Sequence, residues 1–353
     1  MTDAPALGFR RERRGRAVVW LSAALAVVGA VFGIIRGPLE IAPGEFVAIL
    51  LGAEGVSAVK EGVVLNIRAP RILLGLCAGA VLGASGAAMQ GFFRNPLADP
   101  GLIGVSAGGA LAAVAVIVLG GAALSALTSA LGAFALPLAA FAGAFVVVLL
   151  IYRLSVLDGR VIVATMLLAG VAANALAYSG IGYLTFLADD TQLRDLTFWT
   201  LGSLGGATWE RVIPASVLMI ASTIALMTLA RPMNALLFGE GDAWALGVDV
   251  EAVKRRAALF TALGVGAATA VCGIVSFVGL VVPHLVRLMT GPDHRFVMPG
   301  SACLGGALVV GADLVARLAV VPAELPLGVV TAAIGAPFFF WLLLRDKKRS
   351  ALG

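Results

Sequence analysis

The charged side chains that interrupt long apolar runs are the first candidates for chemistry in this sequence. Arg68 and Arg71 stand at the start of one such run, and Asp313 and Arg317 stand near the end of another. An ionisable group placed in hydrocarbon is costly, so it is a candidate functional group by default. Asp313 and Arg317 lie four residues apart and would share one face of a helix, which predicts an ion pair between them.

Arg68, Arg71 and Arg317 are predicted to lie at the periplasmic mouth of the bundle. One interpretation is that their long side chains snorkel from the helix ends towards the membrane surface. The other is an electropositive rim that docks the carboxylates of a periplasmic partner protein, because arginine pairs bidentately with carboxylates. The residues by themselves leave both interpretations open.

Signals for catalysis, nucleotide binding and metal binding are missing from the sequence. No GxxxxGK[ST] phosphate-binding loop occurs, and no lysine follows a glycine. Neither His284 nor His294 stands near a matching Ser or Cys motif, and the three cysteines form no CxxC pair. The sequence therefore predicts that the chain is not an enzyme and that it holds no metal or cofactor of its own.

Segment 231–253 is the longest loop that we assign to the cytoplasm. It is both apolar and acidic, and Gly239 and Gly247 bracket a short predicted helix. Its large apolar side chains include Phe238, Trp244 and Leu246. Because exposed apolar groups mark interaction surfaces, this segment predicts contact with another protein.

Composition decides which elements must position these residues. The chain has 353 residues, of which 60% are hydrophobic and 13% charged, against about 25% charged in an average soluble domain. Apolar runs of about 20 residues suit helices that cross a bilayer, whereas barrel strands would alternate over about 10 residues. We therefore predict an all-α polytopic membrane protein. The net charge of +5 reflects basic residues at span ends, and no nucleic-acid partner is expected.

Nine apolar segments form what we take to be a single transmembrane domain over residues 1–353. They lie near residues 17–35, 70–92, 101–120, 131–152, 161–187, 212–230, 257–282, 299–319 and 325–344. A basic tail over 1–16 precedes them and a second basic cluster follows them, so the positive-inside rule places both termini in the cytoplasm. Two cytoplasmic ends require an even number of crossings. Segment 254–291 is long enough for two, with a turn between Gly273 and Gly279, which gives ten spans.

Glycines repeat along the second predicted span. Gly75, Gly79 and Gly83 are spaced by four residues. Small residues at this spacing let helix backbones approach closely in lipid. We therefore interpret the three glycines as packing positions rather than as part of a transport site.

Motifs along nearly the whole chain after residue 40 resemble the permease subunits of type II ABC importers for iron chelates, haem and cobalamin. The motifs are Arg68-Ala-Pro-Arg71, Ser85-Gly86 with Gln90, Arg94-Asn-Pro-Leu-Ala-Asp-Pro100, Gly104-Val-Ser-Ala-Gly108, Trp199-Thr-Leu-Gly-Ser203, Ala243-Trp-Ala-Leu-Gly247, Gly273 to His284, Asp313 to Arg317, Glu324-Leu-Pro-Leu-Gly328 and Gly335-Ala-Pro337. Their order and spacing together make the resemblance specific.

The resemblance implies ten transmembrane helices per subunit in a multi-pass protein of the bacterial inner membrane. It also implies a homodimer, two separate ATP-binding subunits that use ATP and Mg, and a periplasmic substrate-binding protein. Each proposed role is carried over by position. Arg68, Arg71 and Arg317 would dock the binding protein, Asn95 and Leu97 would form the cytoplasmic gate, Gln90 and Asn174 would line the translocation path, and Gly239, Ala243, Leu246 and Gly247 would couple to the ATPase.

Segments 184–194 and 196–205 are most similar to haem permeases within this family, so haem is the predicted transported substrate. The same machine carrying a ferric siderophore or cobalamin is the nearest alternative. An ion-coupled secondary transporter and a membrane scaffold without transport activity are alternatives of other classes. The scarcity of charge inside the predicted spans argues against ion coupling, because a proton or Na⁺ would have to be bound there.

Overall fold

The computed structural model describes residues 4–53 and 55–350, and most of the described chain is helical. The helices are α1 (Ala4–Ile35), α2 (Pro43–Leu50), α3 (Ala58–Gly62), α4 (Ala69–Phe92), α5 (Val105–Leu119), α6 (Ser125–Leu131), α7 (Ala135–Leu154), α8 (Val163–Leu187), α9 (Asp190–Leu201), α10 (Trp209–Thr228), α11 (Ala230–Leu236), α12 (Glu240–Ala245), α13 (Val250–Cys272), α14 (Val278–Thr290), α15 (His294–Leu318) and α16 (Leu327–Ser350). A π-helical turn, Val63–Arg68, joins α3 to α4, and 3-10 turns lie at Pro100–Ile103 and Gly132–Phe134. Strands β1 (Val156–Leu157) and β2 (Arg160–Val161) form a short antiparallel hairpin. The predicted all-α class is confirmed.

Six stretches of helix are long and apolar enough to cross a membrane: Arg11–Ile35, Ala58–Phe92, Ser125–Leu154, Val163–Leu187, Trp209–Thr228 and His294–Leu318. Three shorter apolar helices accompany them: Val105–Leu119, Val278–Thr290 and Leu327–Leu342. The 23-residue α13 is long enough to be a further span, although its first turns are charged. The described part of the chain thus provides a helix for each of the ten predicted spans.

The predicted division of segment 254–291 into two spans is confirmed. Helix α13 ends at Cys272, and α14 begins at Val278. Gly273 follows α13 with a φ of +68°, a conformation that glycine adopts without steric cost. The backbone N–H of Ser203 donates to the Cys272 carbonyl at 2.8 Å. The link between the two helices is therefore packed against the loop that follows α9.

Helix α4 lies at the centre of the bundle and packs against α15, α10, α13 and α14. Along α4, a Cβ on Gly79 would overlap the backbone of Gly305, and a Cβ on Gly83 would overlap the backbone of Ser301. A Cβ on Gly75 would lie 3.1 Å from side chains of its neighbours. The predicted packing role of these glycines is confirmed, because only a residue without a side chain allows α4 and α15 to approach so closely.

The predicted basic tail over 1–16 is described from residue 4 onwards, and residues 1–3 lie outside the described residues. From Ala4 it forms the first turns of α1, so the basic tail and the first predicted span lie on one continuous helix. Arg, Glu and Ala are good helix formers, and no proline interrupts the segment after Ala6. Arg16 and Glu12, four residues apart, form an ion pair at 2.6 Å on this helix.

Candidate functional site

Arg71 is the centre of a buried charge cluster at the first turn of α4. Its Nε and Nη2 atoms donate to the Asp313 carboxylate at 2.8 to 3.1 Å. Its Nη1 and Nη2 atoms donate to the Glu324 carboxylate at 3.0 and 2.8 Å. Arg317 Nε lies 3.1 Å from Asp313 Oδ2, which confirms the predicted ion pair. The cluster thereby joins α4 to α15 and to the segment that precedes α16.

Arg68 and Arg317 also hold the end of α1. Arg68 Nη1 donates to the carbonyl oxygens of Ile34 and Ile35 at 2.6 and 3.0 Å, and Arg317 Nη2 donates to that of Gly33 at 3.1 Å. The last carbonyls of a helix have no partner within the helix and carry its partial negative charge. Two cations at this position therefore satisfy the end of α1 and fix it against α4 and α15.

The expectation that these three arginines form an exposed rim is corrected. Arg68, Arg71 and Arg317 are 3%, 7% and 4% exposed, and each donates to groups of its own chain. They do not snorkel to the surface either, because carboxylates and carbonyls within the bundle accept their hydrogen bonds. Docking of a binding protein by these residues stays a prediction, and the structure shows that they stabilise the contacts between helices.

Glu324 is the member of the cluster that sequence reasoning did not assign. Its side chain is 42% exposed, whereas that of Asp313 is 1% exposed. Glu324 is the single acidic residue between 314 and 345, in an otherwise apolar stretch. A lone carboxylate seven residues after Arg317 was the signal that would have connected it to the cluster.

The predicted gate residues lie in the exposed loop after α4. The backbone N–H of Leu97 donates to Asn95 Oδ1 at 2.9 Å, and the Leu97 side chain is 46% exposed. Gln90, predicted to line the path, is 3% exposed, and its Nε2 donates to the Leu280 carbonyl at 3.2 Å. In this structure Gln90 therefore bridges α4 and α14, and its place in the path stays a prediction.

Asn174, the other predicted path residue, connects α8 to the 3-10 turn at Pro100–Ile103. Its Nδ2 donates to the Gly101 carbonyl at 3.2 Å. Its Oδ1 is buried and has no hydrogen-bond partner among the described residues. The predicted path residues Gln90 and Asn174 thus contact different helices, and the structure does not bring their side chains together.

Segment 231–253 folds as predicted, with the short helix α12 between two glycines. Gly239 has a φ of +124° and Gly247 a φ of +81°, so both positions favour glycine. Ala243, on the inner side of α12, is fully buried. The predicted exposure of the apolar side chains is confirmed, at 72%, 76% and 68% for Phe238, Trp244 and Leu246. The segment presents an apolar surface that its own chain leaves uncovered.

A buried lysine holds this segment to the bundle, and sequence reasoning missed it. Lys254 is 2% exposed, and its Nζ donates to Glu240 at 2.8 Å and to Glu251 at 3.3 Å. It also donates to the Val161 carbonyl at 3.3 Å, which connects α12 and α13 to the β1–β2 hairpin. Glu251 at i−3 on the same helix was the available sequence signal.

Comparison with known proteins adds relatives of known class. The model of the FecCD transport family matches residues 24–345. The hemin transport system permease protein HmuU of Yersinia pestis is 44% identical over 285 residues, which cover 81% of this chain and 84% of that protein. The cobalamin import system permease protein BtuC of Halobacterium salinarum is 42% identical over 298 residues, covering 84% and 77%. The vitamin B12 import system permease protein BtuC of Salmonella typhi is 37% identical over 347 residues, covering 97% and 100%.

A solved structure has the same fold over most of its length. It shows an inward-facing conformation of a transporter assigned to the metal-chelate type of ABC transporters. It has a TM-score of 0.81 and 27% identity, and the match covers 94% of this chain and 99% of that one. Since the family match extends over nine-tenths of the sequence and the fold agrees, this chain belongs to the FecCD transport family and is a membrane-spanning permease of an ABC importer.

Proposed function

We propose that the chain is the permease subunit of an ATP-driven importer that moves haem from a periplasmic binding protein across the inner membrane to the cytoplasm. The observation that supports haem is the 44% identity to a hemin permease over four-fifths of the chain. Cobalamin permeases at 42% and 37% identity make cobalamin, or a ferric siderophore, the alternative cargo of the same machine.

ATP hydrolysis takes place in two partner subunits that bind ATP and Mg, and this chain supplies the surface to which they couple. Segment 231–253, with Gly239, Ala243, Leu246 and Gly247, is that surface in our proposal. The support is a rigid helix fixed by Lys254 that exposes apolar side chains to the outside. The coupling segment, and with it both chain termini, then lies in the cytoplasm.

A second copy of the chain completes the transport path in this proposal. Helix α8 exposes large apolar side chains on several faces, among them Leu168, Leu176 and Phe186 at 71%, 76% and 84%. Lipid and the partner copy share these faces, and the path runs along the two-fold axis between the copies. Asn95 and Leu97 lie in the loop that would close the cytoplasmic end, with Gln90 and Asn174 beside the path.

The binding protein docks at the opposite end, near Arg68, Arg71 and Arg317, in the same proposal. Their burial changes how docking must be tested. A charge reversal such as Arg71→Glu would place a third carboxylate beside Asp313 and Glu324. Weaker docking of that variant would report a damaged fold, so the rim cannot be tested by reversing this charge.

Transport itself is tested by uptake into proteoliposomes that contain this chain and its ATPase. The binding protein is added in turn with haem, a ferric siderophore or cobalamin, with and without ATP. We expect ATP-dependent accumulation of haem. ATP-dependent uptake of another chelate would contradict haem as the substrate but would still support an ABC importer. Uptake driven by an ion gradient without ATP would contradict the proposed function.

Loss of the exposed apolar surface of α12 is expected to weaken coupling. The Leu246 side chain is 68% exposed in this chain. In our proposal it becomes buried in the interface with the ATPase subunit, and Leu246→Ser removes most of it. Burial of a leucine contributes about 1.5–3 kcal/mol, so we expect the ATPase subunit to bind about ten- to a hundredfold more weakly. The measurement is a titration of the ATPase onto the reconstituted permease. Leu246→Met, which keeps the apolar area, should bind like wild type, and equal binding by Leu246→Ser would remove this residue from the coupling surface.

A further inference from the structure

A basic cleft lies beside segment 231–253 and shares Leu237 and Phe238 with it. It is bounded by the first turns of α1, the turn between α14 and α15, and the start of the loop after α11. Its cationic side is formed by Arg11, Arg14 and Arg295, and its apolar side by Leu237, Phe238 and Leu288. The cleft has a volume of about 830 Å³, which is in the range that holds a drug-sized molecule.

Two arginines of the cleft, Arg11 and Arg14, have no ion-pair partner among the described residues. Glu12 pairs with Arg16 at 2.6 Å, and Asp293 pairs with Arg295 at 2.7 Å. Burial raises the pKa of Asp293, but hydrogen bonds from Arg295 and Asn234 outweigh it, so the pKa of this carboxyl is lowered and it stays ionised. Within the described residues, neither Arg11 nor Arg14 forms an ion pair, although Glu12 lines the same cleft. Three arginines and two carboxylates line the cleft, so its lining carries an excess of one positive charge.

Exposed leucines follow the basic side of the cleft along α1. Arg14, Leu21 and Leu25 are spaced by seven and four residues and so lie along one stripe of the helix. Leu21 and Leu25 are 60% and 48% exposed. Leu21 lies about 10 Å along the helix from Arg14. An anionic headgroup held by Arg14 would thus have its acyl chains beside Leu21 and Leu25.

We propose that this cleft binds an anionic phospholipid, with its phosphate between Arg11 and Arg14 and its acyl chains along α1. Basic pockets between membrane-spanning helices suit such headgroups. A soluble phosphate compound would leave Leu237, Phe238 and Leu288 uncovered, and the stripe on α1 leads into the bilayer rather than towards a soluble protein. Because Phe238 belongs to segment 231–253, the bound lipid also covers one side of the coupling segment.

Direct lipid binding to the full-length chain in detergent, measured by native mass spectrometry, tests the proposal without any transport assay. The probes are phosphatidylglycerol and phosphatidylcholine with identical acyl chains. Each arginine near an anionic headgroup contributes about 1 kcal/mol, so Arg11→Gln/Arg14→Gln should bind phosphatidylglycerol about ten- to thirtyfold more weakly. Its binding of phosphatidylcholine should not change.

Arg13→Gln is the matched control, because Arg13 is an exposed arginine on the same turns of α1 that does not line the cleft. It should bind phosphatidylglycerol within twofold of wild type. An equal loss of phosphatidylglycerol binding in Arg13→Gln, or no loss in the double variant, would overturn the proposal.

Competition by glycerophosphoglycerol, which lacks acyl chains, would show a site for soluble phosphates instead and would overturn the proposal. Unchanged lipid binding with weaker ATPase assembly in the double variant would show a protein contact, and would also overturn it. Failure of haem uptake would leave these outcomes unaffected.

Discussion

Arg71→Met is expected to lower the free energy of unfolding by about 3–5 kcal/mol, the usual cost of removing one partner from a buried ion pair. The substitution keeps the length of the side chain and removes its charge. Asp313, 1% exposed, would keep only the guanidinium of Arg317 at 3.1 Å. Glu324 would lose its ion-pair partner among the described residues. The change is measured by thermal or denaturant unfolding of the purified chain in detergent.

Arg36→Met is the matched control for the loss of an arginine charge. Arg36 pairs with Glu40 at 3.5 Å, and their side chains are 57% and 83% exposed. Exposed pairs contribute between about 0 and 1 kcal/mol because water screens them. Stability close to wild type is therefore expected for this variant. An equal loss of unfolding free energy in Arg71→Met and Arg36→Met would contradict a stabilising role for the buried charge cluster around Arg71.

Gly83→Ala is expected to destabilise the chain by about 3 kcal/mol, at the upper end of the cost of inserting one methyl group into a packed core. The new Cβ would overlap the carbonyl oxygen of Ser301 on α15. The overlapping atom belongs to the backbone, so no side-chain rotation removes it. Relief requires α4 and α15 to separate, and that movement would propagate to the contacts of Gly79 with Gly305. Unfolding in detergent, with circular dichroism as the probe, measures the loss.

Gly311→Ala provides the control for this substitution on the partner helix itself. A Cβ at Gly311 would meet nothing within 4 Å, and its φ is not in the left-handed region. Alanine is favoured over glycine inside a helix by about 1 kcal/mol, so this variant should be as stable as wild type or slightly more stable. The two substitutions are thus predicted to have opposite signs. A loss of stability in both would contradict the close approach of α4 and α15 as its cause.

The helices themselves follow from the sequence because membrane insertion depends on local hydrophobicity. Each apolar run near 20 residues became a helix, and the division of segment 254–291 followed from charge at the two ends of the chain together with Gly273. The spacing of Gly79 and Gly83 likewise predicted a close contact between helices. These signals are local, since each depends on residues within a few turns of one another.

The sequence also predicted Asp313 with Arg317, because residues four apart share a helix face. It could not place Arg71 beside Asp313, 242 positions away, or Glu324 beside Arg71. Which helices are neighbours depends on packing across the whole bundle, and a separation of that length leaves no periodic pattern to read.

The all-α class, the ten apolar helices and the short helix between Gly239 and Gly247 were therefore predictable from the sequence alone. Only the tertiary structure decided that Arg68, Arg71 and Arg317 are buried rather than exposed, and that Gln90 bridges two helices. It also brought Arg11 and Arg14 at the start of α1 next to segment 231–253. The physical reason is that the environment of a charged group depends on which distant carbonyls and carboxylates surround it, and those partners are defined only once the helices have packed.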